Sequence, residues 1–153
     1  HLRPRRQRQM CIRDRNNLSP FHLAIPVQEI TTTRDFYRDV LGCKEGRSSD
    51  HWVDFDFFGH QLVIHLNQSK KNIDTENIVD GKDVPVPHFG IVLDWQMFTQ
   101  IEKRIRNKVE FIIKPYVRFK GERGEQKTMF FKDPSGNALE FKSFKNIDQL
   151  FEK

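Results

Sequence analysis

Four residues of this 153-residue chain have the chemistry and the placement of a metal site: His22, His65, His88 and Glu140. Imidazole nitrogens and carboxylate oxygens are the usual donors for divalent first-row cations. Two histidines and one carboxylate form the facial set that suits Fe(II), and a fourth donor also admits Zn, Mn, Ni or Co. His22 lies in Phe21-His22-Leu23-Ala24-Ile25-Pro26-Val27, an alternating run that reads as a strand. Side chains alternate across a strand, so Phe21, Leu23 and Ile25 share the packed face while His22 and Ala24 take the other. By the same rule His88 shares its face with Gly90, and His65 lies opposite Leu62, Ile64 and Leu66. Glu140 lies opposite Leu139 and Phe141, beside Ala138. Taken singly, a strand histidine is more often a hydrogen-bonded core residue than a ligand. Four ionisable groups gathered on one surface without a cation would cost several kcal/mol in desolvation, so joint ligation of one ion is expected.

The elements that must carry these residues come in two copies. After the first strand, Thr31 to Leu41 reads as a short amphipathic helix with Phe36, Val40 and Leu41 on one stripe and Gly42 to end it. Trp52–Phe58 and Gln61–Leu66 read as strands joined at Gly59-His60, with a further strand near Cys43 to Arg47. Residues 87–93, Pro-His-Phe-Gly-Ile-Val-Leu, then match residues 21–27 position for position, with His88 where His22 stands. A second helix follows with Phe98, Ile101 and Ile105 on one stripe, then strands at Val109–Ile113, Thr128–Lys132 and Ala138–Phe144. The repeat offset is 88 − 22 = 66 at the first strands and 140 − 65 = 75 at the last, so the second copy holds about nine extra residues, placed in Lys114–Gln126. Between the copies, Asn67 to Pro87 is polar and long for a structureless loop, which points to a lid or a crossover.

The expected organisation is therefore one domain over 18–153, with a first module at 18–67, a linker at 68–86, a second module at 87–145 and a tail helix at 146–153. Residues 1–17 are expected to be a disordered or non-native basic leader, and the run from Gln7 to Arg15 resembles translated sequencing-adapter read-through. The net charge of +5 comes from there. Residues 1–15 hold six arginines and one acid, which leaves 20 basic and 20 acidic residues in the remainder. A nucleic-acid binder would spread its basic residues over a face of the folded body, so no nucleic-acid partner is expected. The leader lacks the apolar core of a signal peptide, and no apolar stretch approaches the roughly 20 residues of a membrane helix. The two cysteines, Cys11 and Cys43, cannot build a disulfide framework or a thiolate zinc site, and a reducing cytoplasm is the expected location.

Three stretches carry a family resemblance: Phe21 to Val27, the helix end Arg34-Asp35-Phe36-Tyr37 to Val40-Leu41-Gly42, and Asp133-Pro134-Ser135-Gly136-Asn137-Ala138-Leu139-Glu140. With them the chain resembles the vicinal-oxygen-chelate superfamily, which includes glyoxalase I, methylmalonyl-CoA epimerase, fosfomycin-resistance enzymes, bleomycin-resistance proteins and extradiol dioxygenases. The resemblance implies an α+β fold, two tandem βαβββ modules forming a curved mixed sheet around a metal cleft, usually in a homodimer. It aligns His22, His88 and Glu140 with the ligands common to most metal-dependent members. His65 falls at the fourth ligand of glyoxalase I, a carboxylate there. The chain is most similar to short predicted relatives of the extradiol dioxygenases, which share stretches like Gly46-Arg47-Ser48-Ser49-Asp50, Trp52-Val53-Asp54-Phe55 and Phe58-Gly59-His60-Gln61. In a ring-cleaving site His65 would act as acid or base rather than as ligand. The tyrosine and histidine that ring-cleavers carry ahead of the Asp-Pro motif are replaced here by a neighbourhood of Gln126, Phe130 and Phe131.

On the substrate side, Tyr116, Arg118 and Lys120 alternate with Val117 and Phe119 and can present a cationic edge to an anionic substrate, with Arg47 and Gln126 as further candidates. The leading expectation is an enzyme, dioxygenase-like, that uses one divalent cation, Fe(II) favoured, to hold adjacent oxygens of a small oxygen-rich substrate. His65 and Glu140 are its candidate catalytic residues. The alternatives are a glyoxalase- or epimerase-type isomerase or lyase, a fosfomycin-type thiol transferase, and a non-catalytic binder of the bleomycin-resistance type.

Overall fold

The computed structural model describes residues 18–69 and 75–153, so the leader expected at 1–17 lies outside the described residues. The chain builds the same βαβββ unit twice. The first runs through β1 (His22–Val27), helix α1 (Ile30–Asp35) and a π-helical turn (Phe36–Val40), then β2 (Lys44–Ser48), β3 (Trp52–Phe57) and β4 (His60–Leu66). A hairpin of β5 (Thr75–Val79) and β6 (Lys82–Val86) follows. The second unit is β7 (Phe89–Leu93), α2 (Trp95–Ile105), β8 (Phe111–Arg118), β9 (Gln126–Lys132) and β10 (Ala138–Phe144). Each unit makes a four-stranded mixed sheet with one order: β1-β4-β3-β2 in the first, β7-β10-β9-β8 in the second. The first and last strands run parallel and the other pairings are antiparallel.

Period-2 alternation decides which side of each sheet is packed. Ile25 and Val27 of β1, Leu62 and Ile64 of β4, and Val53, Phe55 and Phe57 of β3 face inward with Phe36, Tyr37 and Leu41. Leu93, Phe98, Ile105, Met129, Phe131, Leu139 and Phe141 join the same cluster from the second unit, so the two modules share one core. Ring contacts join them: Phe57 lies 5.7 Å from Phe89 and 6.0 Å from Phe141, Phe58 5.4 Å from Phe141, and Phe36 6.3 Å from Phe131. Burying a side chain of this size contributes about 1.5–3 kcal/mol. Phe21, read from its alternation as packed, is instead 65% exposed, because it precedes β1 at an open edge of the first sheet.

Three segments differ from the sequence reading. The stretch expected as a linker holds the β5–β6 hairpin, turned at Asp80-Gly81, where both residues have positive φ. The first helix changes to π-helical hydrogen bonding after Asp35. Tyr37, not named on the predicted stripe although it stands three residues before Val40 and four before Leu41, is fully buried. Beyond β10, only Ile147–Gln149 forms a turn of 3₁₀ helix.

The Asp133–Asn137 turn ties the modules together around a buried carboxylate. Asp133 Oδ1 accepts from the backbone N–H groups of Ser135 and Asn137, both at 2.9 Å. Its Oδ2 accepts from Tyr37 Oη at 2.8 Å and from Asn137 Nδ2 at 2.9 Å. Asn137 Nδ2 also donates to the Pro26 carbonyl of β1 at 3.0 Å. Proline is tolerated there because β1 is an outer strand. Ser135 Oγ accepts from the Gln28 N–H and lies 3.0 Å from Thr33 Oγ1. Burial, with Asp133 beside it, pushes the Tyr37 hydroxyl well above its ordinary pKa, so it remains a donor. Replacing Tyr37 by Phe removes one charge-assisted bond from a buried carboxylate, for an expected loss of about 1.5–3 kcal/mol. Urea unfolding of Tyr37→Phe measures it, and a loss under about 0.5 kcal/mol would show that the clasp is not a main tie.

Candidate metal centre

Of the four proposed ligands, the second module brings two together. Glu140 lies in the middle of β10, on the face turned away from the shared core, and is opposite Gly90 of β7. His88 immediately precedes β7, one residue ahead of the Phe89–Leu139 pair. This diagonal offset places His88 Nε2 2.9 Å from Glu140 Oε2. The other oxygen, Oε1, accepts from Thr128 Oγ1 at 2.8 Å and has Lys142 Nζ at 3.3 Å. His88 Nδ1 donates to the Pro85 carbonyl at 2.6 Å, and its ring meets Phe130 edge-on at 5.1 Å. Gly90 permits the arrangement, because a Cβ built there would collide with the Glu140 carbonyl oxygen.

These contacts fix the Nδ1 proton. With Nδ1 donating to Pro85, a neutral His88 would turn an Nε2 lone pair toward a carboxylate, so the pair is satisfied either by a proton at Nε2 or by a cation in its place. Ligand atoms each about 2.0–2.1 Å from one ion and about 90° apart lie about 2.9 Å from each other, so the observed spacing suits adjacent ligand positions. The hydrogen bond to Glu140 raises the His88 pKa, against burial that lowers it. Burial pushes the Glu140 carboxyl up, but the bond from His88, with Lys142 and Thr128, outweighs it and holds the group below its ordinary value.

His22 and His65 stand on the corresponding face of the first sheet. His22 Nδ1 donates to Gln61 Oε1 at 2.7 Å, and Gln61 Nε2 in turn faces Asp54 Oδ2 at 3.3 Å, so, as in His88, Nδ1 is the committed donor and Nε2 is the nitrogen turned away from it. His65 is exposed, between Pro26 of β1 and Trp52 of β3. Strand register separates the two modules here. His22 pairs with Gln61, so the residue two further along β4, in the place Glu140 holds beside His88, is Val63. His65 lies two residues beyond that, about 7 Å along the strand. Among the described residues, no three His, Cys, Asp or Glu side chains come together as a metal-holding group.

Tyr116, Arg118 and Gln126 share the open face of the second sheet with Thr128 and Lys142, since Tyr116 pairs with Thr128, Arg118 with Gln126, and Thr128 with Lys142. Gln126 is buried there, 3.5 Å from the Gly124 carbonyl. Lys120 lies in the exposed turn after β8, and Arg47, with a side chain 86% exposed, sits on β2 near Asp54. Thr128 and Lys142, which touch Glu140, were not singled out from the sequence, although Lys142 shares the alternation of Glu140. A cavity of about 860 Å³ lies elsewhere, between β1, β4 and β7 under the C-terminal residues, lined by Phe57, Leu62, Phe89 and Phe151 among others. Its lining includes Gly90 but not His88, Glu140, Thr128 or Lys142, so hydrogen-bonding chemistry rather than cavity size marks the site.

Comparison with known proteins agrees with this architecture. A sequence model of the Glyoxalase/Bleomycin resistance protein/Dioxygenase superfamily matches residues 19–141. A solved glyoxalase/bleomycin resistance protein/dioxygenase from Alicyclobacillus acidocaldarius is 34% identical, with a TM-score of 0.74, covering 90% of this chain and 99% of that one. The chain belongs to this superfamily. The fosfomycin resistance protein FosX from Listeria monocytogenes has a TM-score of 0.64 at 17% identity, covering 86% of this chain and 96% of that one. A lactoylglutathione lyase from Agrobacterium tumefaciens has a TM-score of 0.60 at 17% identity, covering 89% and 98%. These two likenesses extend to the fold alone. No curated protein matches significantly.

The pair makes a signed prediction for metal-free protein. His88, raised, contributes stability below about 6.5 that is lost as pH climbs through its folded value. Glu140, lowered, contributes stability above about 4.5 that is lost as pH falls through its folded value. The unfolding free-energy difference between metal-free wild type and Glu140→Gln is therefore expected to peak between about 4.5 and 6.5 and to shrink at higher pH. Urea unfolding across pH checks this, and a pH-independent difference would refute the coupling.

Proposed function

We propose that this chain is a divalent-metal-dependent enzyme acting on a small, oxygen-rich substrate, with dioxygenase-like chemistry as the leading reaction. The observation that carries this reading is the His88–Glu140 pair, side chains 27% and 14% exposed, with the His88 tautomer fixed from behind by Pro85. Two imidazoles and a carboxylate favour Fe(II), with Zn, Mn, Ni or Co as alternatives. A bound cation would supply Lewis acidity to adjacent substrate oxygens. His88 and Glu140 would hold it from one chain, and His22, with its Nδ1 committed to Gln61, would complete the set from a second copy in a homodimer. In support, β1 and β7 are both outer strands, and the apolar Leu18 and Phe21 beside β1 are 69% and 65% exposed. His65, displaced from the position matching Glu140, is assigned to proton transfer at the substrate rather than to ligation. Tyr116, Arg118 and Gln126 would face the substrate. Phe130 packs against His88, and the stretch Gln126–Lys132 ahead of the Asp-Pro motif holds neither the tyrosine nor the histidine that ring cleavage uses, which favours an isomerase or lyase as the second reading. A cytoplasmic location is part of the proposal; among the described residues no helix is long and apolar enough to cross a membrane.

Anaerobically purified protein is expected to hold about one metal per chain, and the His88→Ala, Glu140→Ala double variant almost none. Equal content in both would end the metal reading. Mixing refolded His22→Ala and Glu140→Ala subunits should restore about a quarter of the sites, since half the dimers are mixed and each then holds one intact site. No restoration would place His22 outside a shared site. Oxygen uptake with catechols under Fe(II) favours the dioxygenase, whereas its absence alongside metal-dependent isomerisation favours the second reading.

A further inference from the structure

The β5–β6 hairpin lies against the same face of the second sheet that carries Glu140. Val84 packs on Ile113 and Phe130, with Ile112 and Tyr116 at the edge of this small apolar cluster. At the hairpin tip, Asp80 directs its carboxylate at two residues of β8. It accepts from Tyr116 Oη at 3.1 Å and from Arg118 Nη2 at 3.3 Å, and is ion-paired with Arg118 Nε. Lys82 Nζ stands 4.7 Å from the Tyr116 ring centre. The acceptor comes from an exposed turn, whereas both donors belong to the sheet that holds the candidate metal ligands. Arg118 is 21% exposed and Asp80 37%, so the contact is partly shielded on the sheet side and open on the hairpin side. The Arg118 hydrogen bond holds Asp80 below its ordinary pKa, and the carboxylate stays charged.

A planar guanidinium and a phenol aimed at one carboxylate form a recognition set for that group, whichever molecule supplies it. Along the sheet, Tyr116 pairs with Thr128, whose hydroxyl donates to Glu140. Two strand spacings, about 10 Å, separate β8 from β10, and the register sets Tyr116 and Arg118 level with Lys142 and Phe144, two and four residues along β10 from Glu140. We propose that Arg118 and Tyr116 are the subsite for a carboxylate of the substrate, and that Asp80 occupies this subsite as an internal stand-in which the substrate displaces. The inference rests on the proposed metal centre for the reacting end of the molecule. It narrows the substrate class to small compounds that carry a carboxylate at the end remote from their chelating oxygens. A lone cationic edge would accept any anion. The Asp80 contact selects a carboxylate, because a carboxylate already fits there.

The test is calorimetric binding of benzoate, benzamide and phenylphosphonate to wild type and Asp80→Asn. Removing the internal competitor should tighten benzoate at least about tenfold and leave benzamide unchanged. Adding Arg118→Gln or Tyr116→Phe to Asp80→Asn should abolish or reduce the gain. Asn and Gly both accept the φ of 54° at this turn, so Asp80→Gly is a second variant with the same expected gain if Asp80→Asn folds poorly. Benzoate binding no tighter than in wild type, or a gain that survives Arg118→Gln, overturns the subsite. Phenylphosphonate bound more tightly than benzoate overturns the carboxylate assignment. Metal content of the same samples separates the two proposals. An absent gain with metal intact defeats the subsite alone, and a gain in protein that never holds metal defeats the metal reading alone.

Discussion

The arrangement depends on one buried carboxylate. Asp133 is 4% exposed and accepts four hydrogen bonds, from two backbone N–H groups, an amide and a phenol. An anion removed from water is tolerable only when its acceptor positions are filled, and filling these requires Tyr37 from the first module and the Asn137 turn from the second. Asn137 then reaches Pro26, and Ser135 reaches Gln28 and Thr33, so the same turn fixes β1 and α1 against the start of β10. Glu140 sits three residues beyond Asn137. The clasp therefore sets where β10 begins and, through strand alternation, which way Glu140 points.

From there the centre is built by charge compensation. Glu140 is a half-buried anion whose neighbours are His88, Lys142 and the Thr128 hydroxyl, so each oxygen has at least one partner. Pro85, behind His88, comes from the end of the hairpin that also carries Asp80. One element thus supports the ring of a candidate ligand and, at its tip, engages Arg118 and Tyr116 of β8. Position at the hairpin base and position at its tip are mechanically linked by two short strands.

Much of this could be read from residues alone. His88 and Glu140 are legible because period-2 alternation places both on the unpacked face, and the internal repeat marks β1 and β7 as equivalents. The proposed equivalence of His65 with Glu140 rests on sequence offset, and offset does not see register. The pairing of β1 with β4 puts Val63 in that place, a two-residue difference that keeps the same face and so leaves no trace in the pattern. Tyr37 was hidden for a different reason. At ordinary helical spacing it stands three residues before Val40 and four before Leu41, on the stripe face itself, but its polar hydroxyl kept it out of an apolar pattern, and only the structure supplies Asp133 as the partner that lets it be buried. The hairpin was legible in principle: Asp80-Gly81 between Ile78-Val79 and Val84 is a strong two-residue turn signal, masked by the polar composition around it.

The contact between Gly90 and the Glu140 carbonyl constrains how this site can diversify. Pockets usually change preference by exchanging side chains on their walls. Beside His88 the wall is bare backbone, and no larger residue fits without moving the strand that holds the carboxylate. Among the described residues the opposite flank, β8 and the hairpin, carries no such backbone contact, and side chains there can lengthen, shorten or change sign while the His88–Glu140 geometry stays as it is.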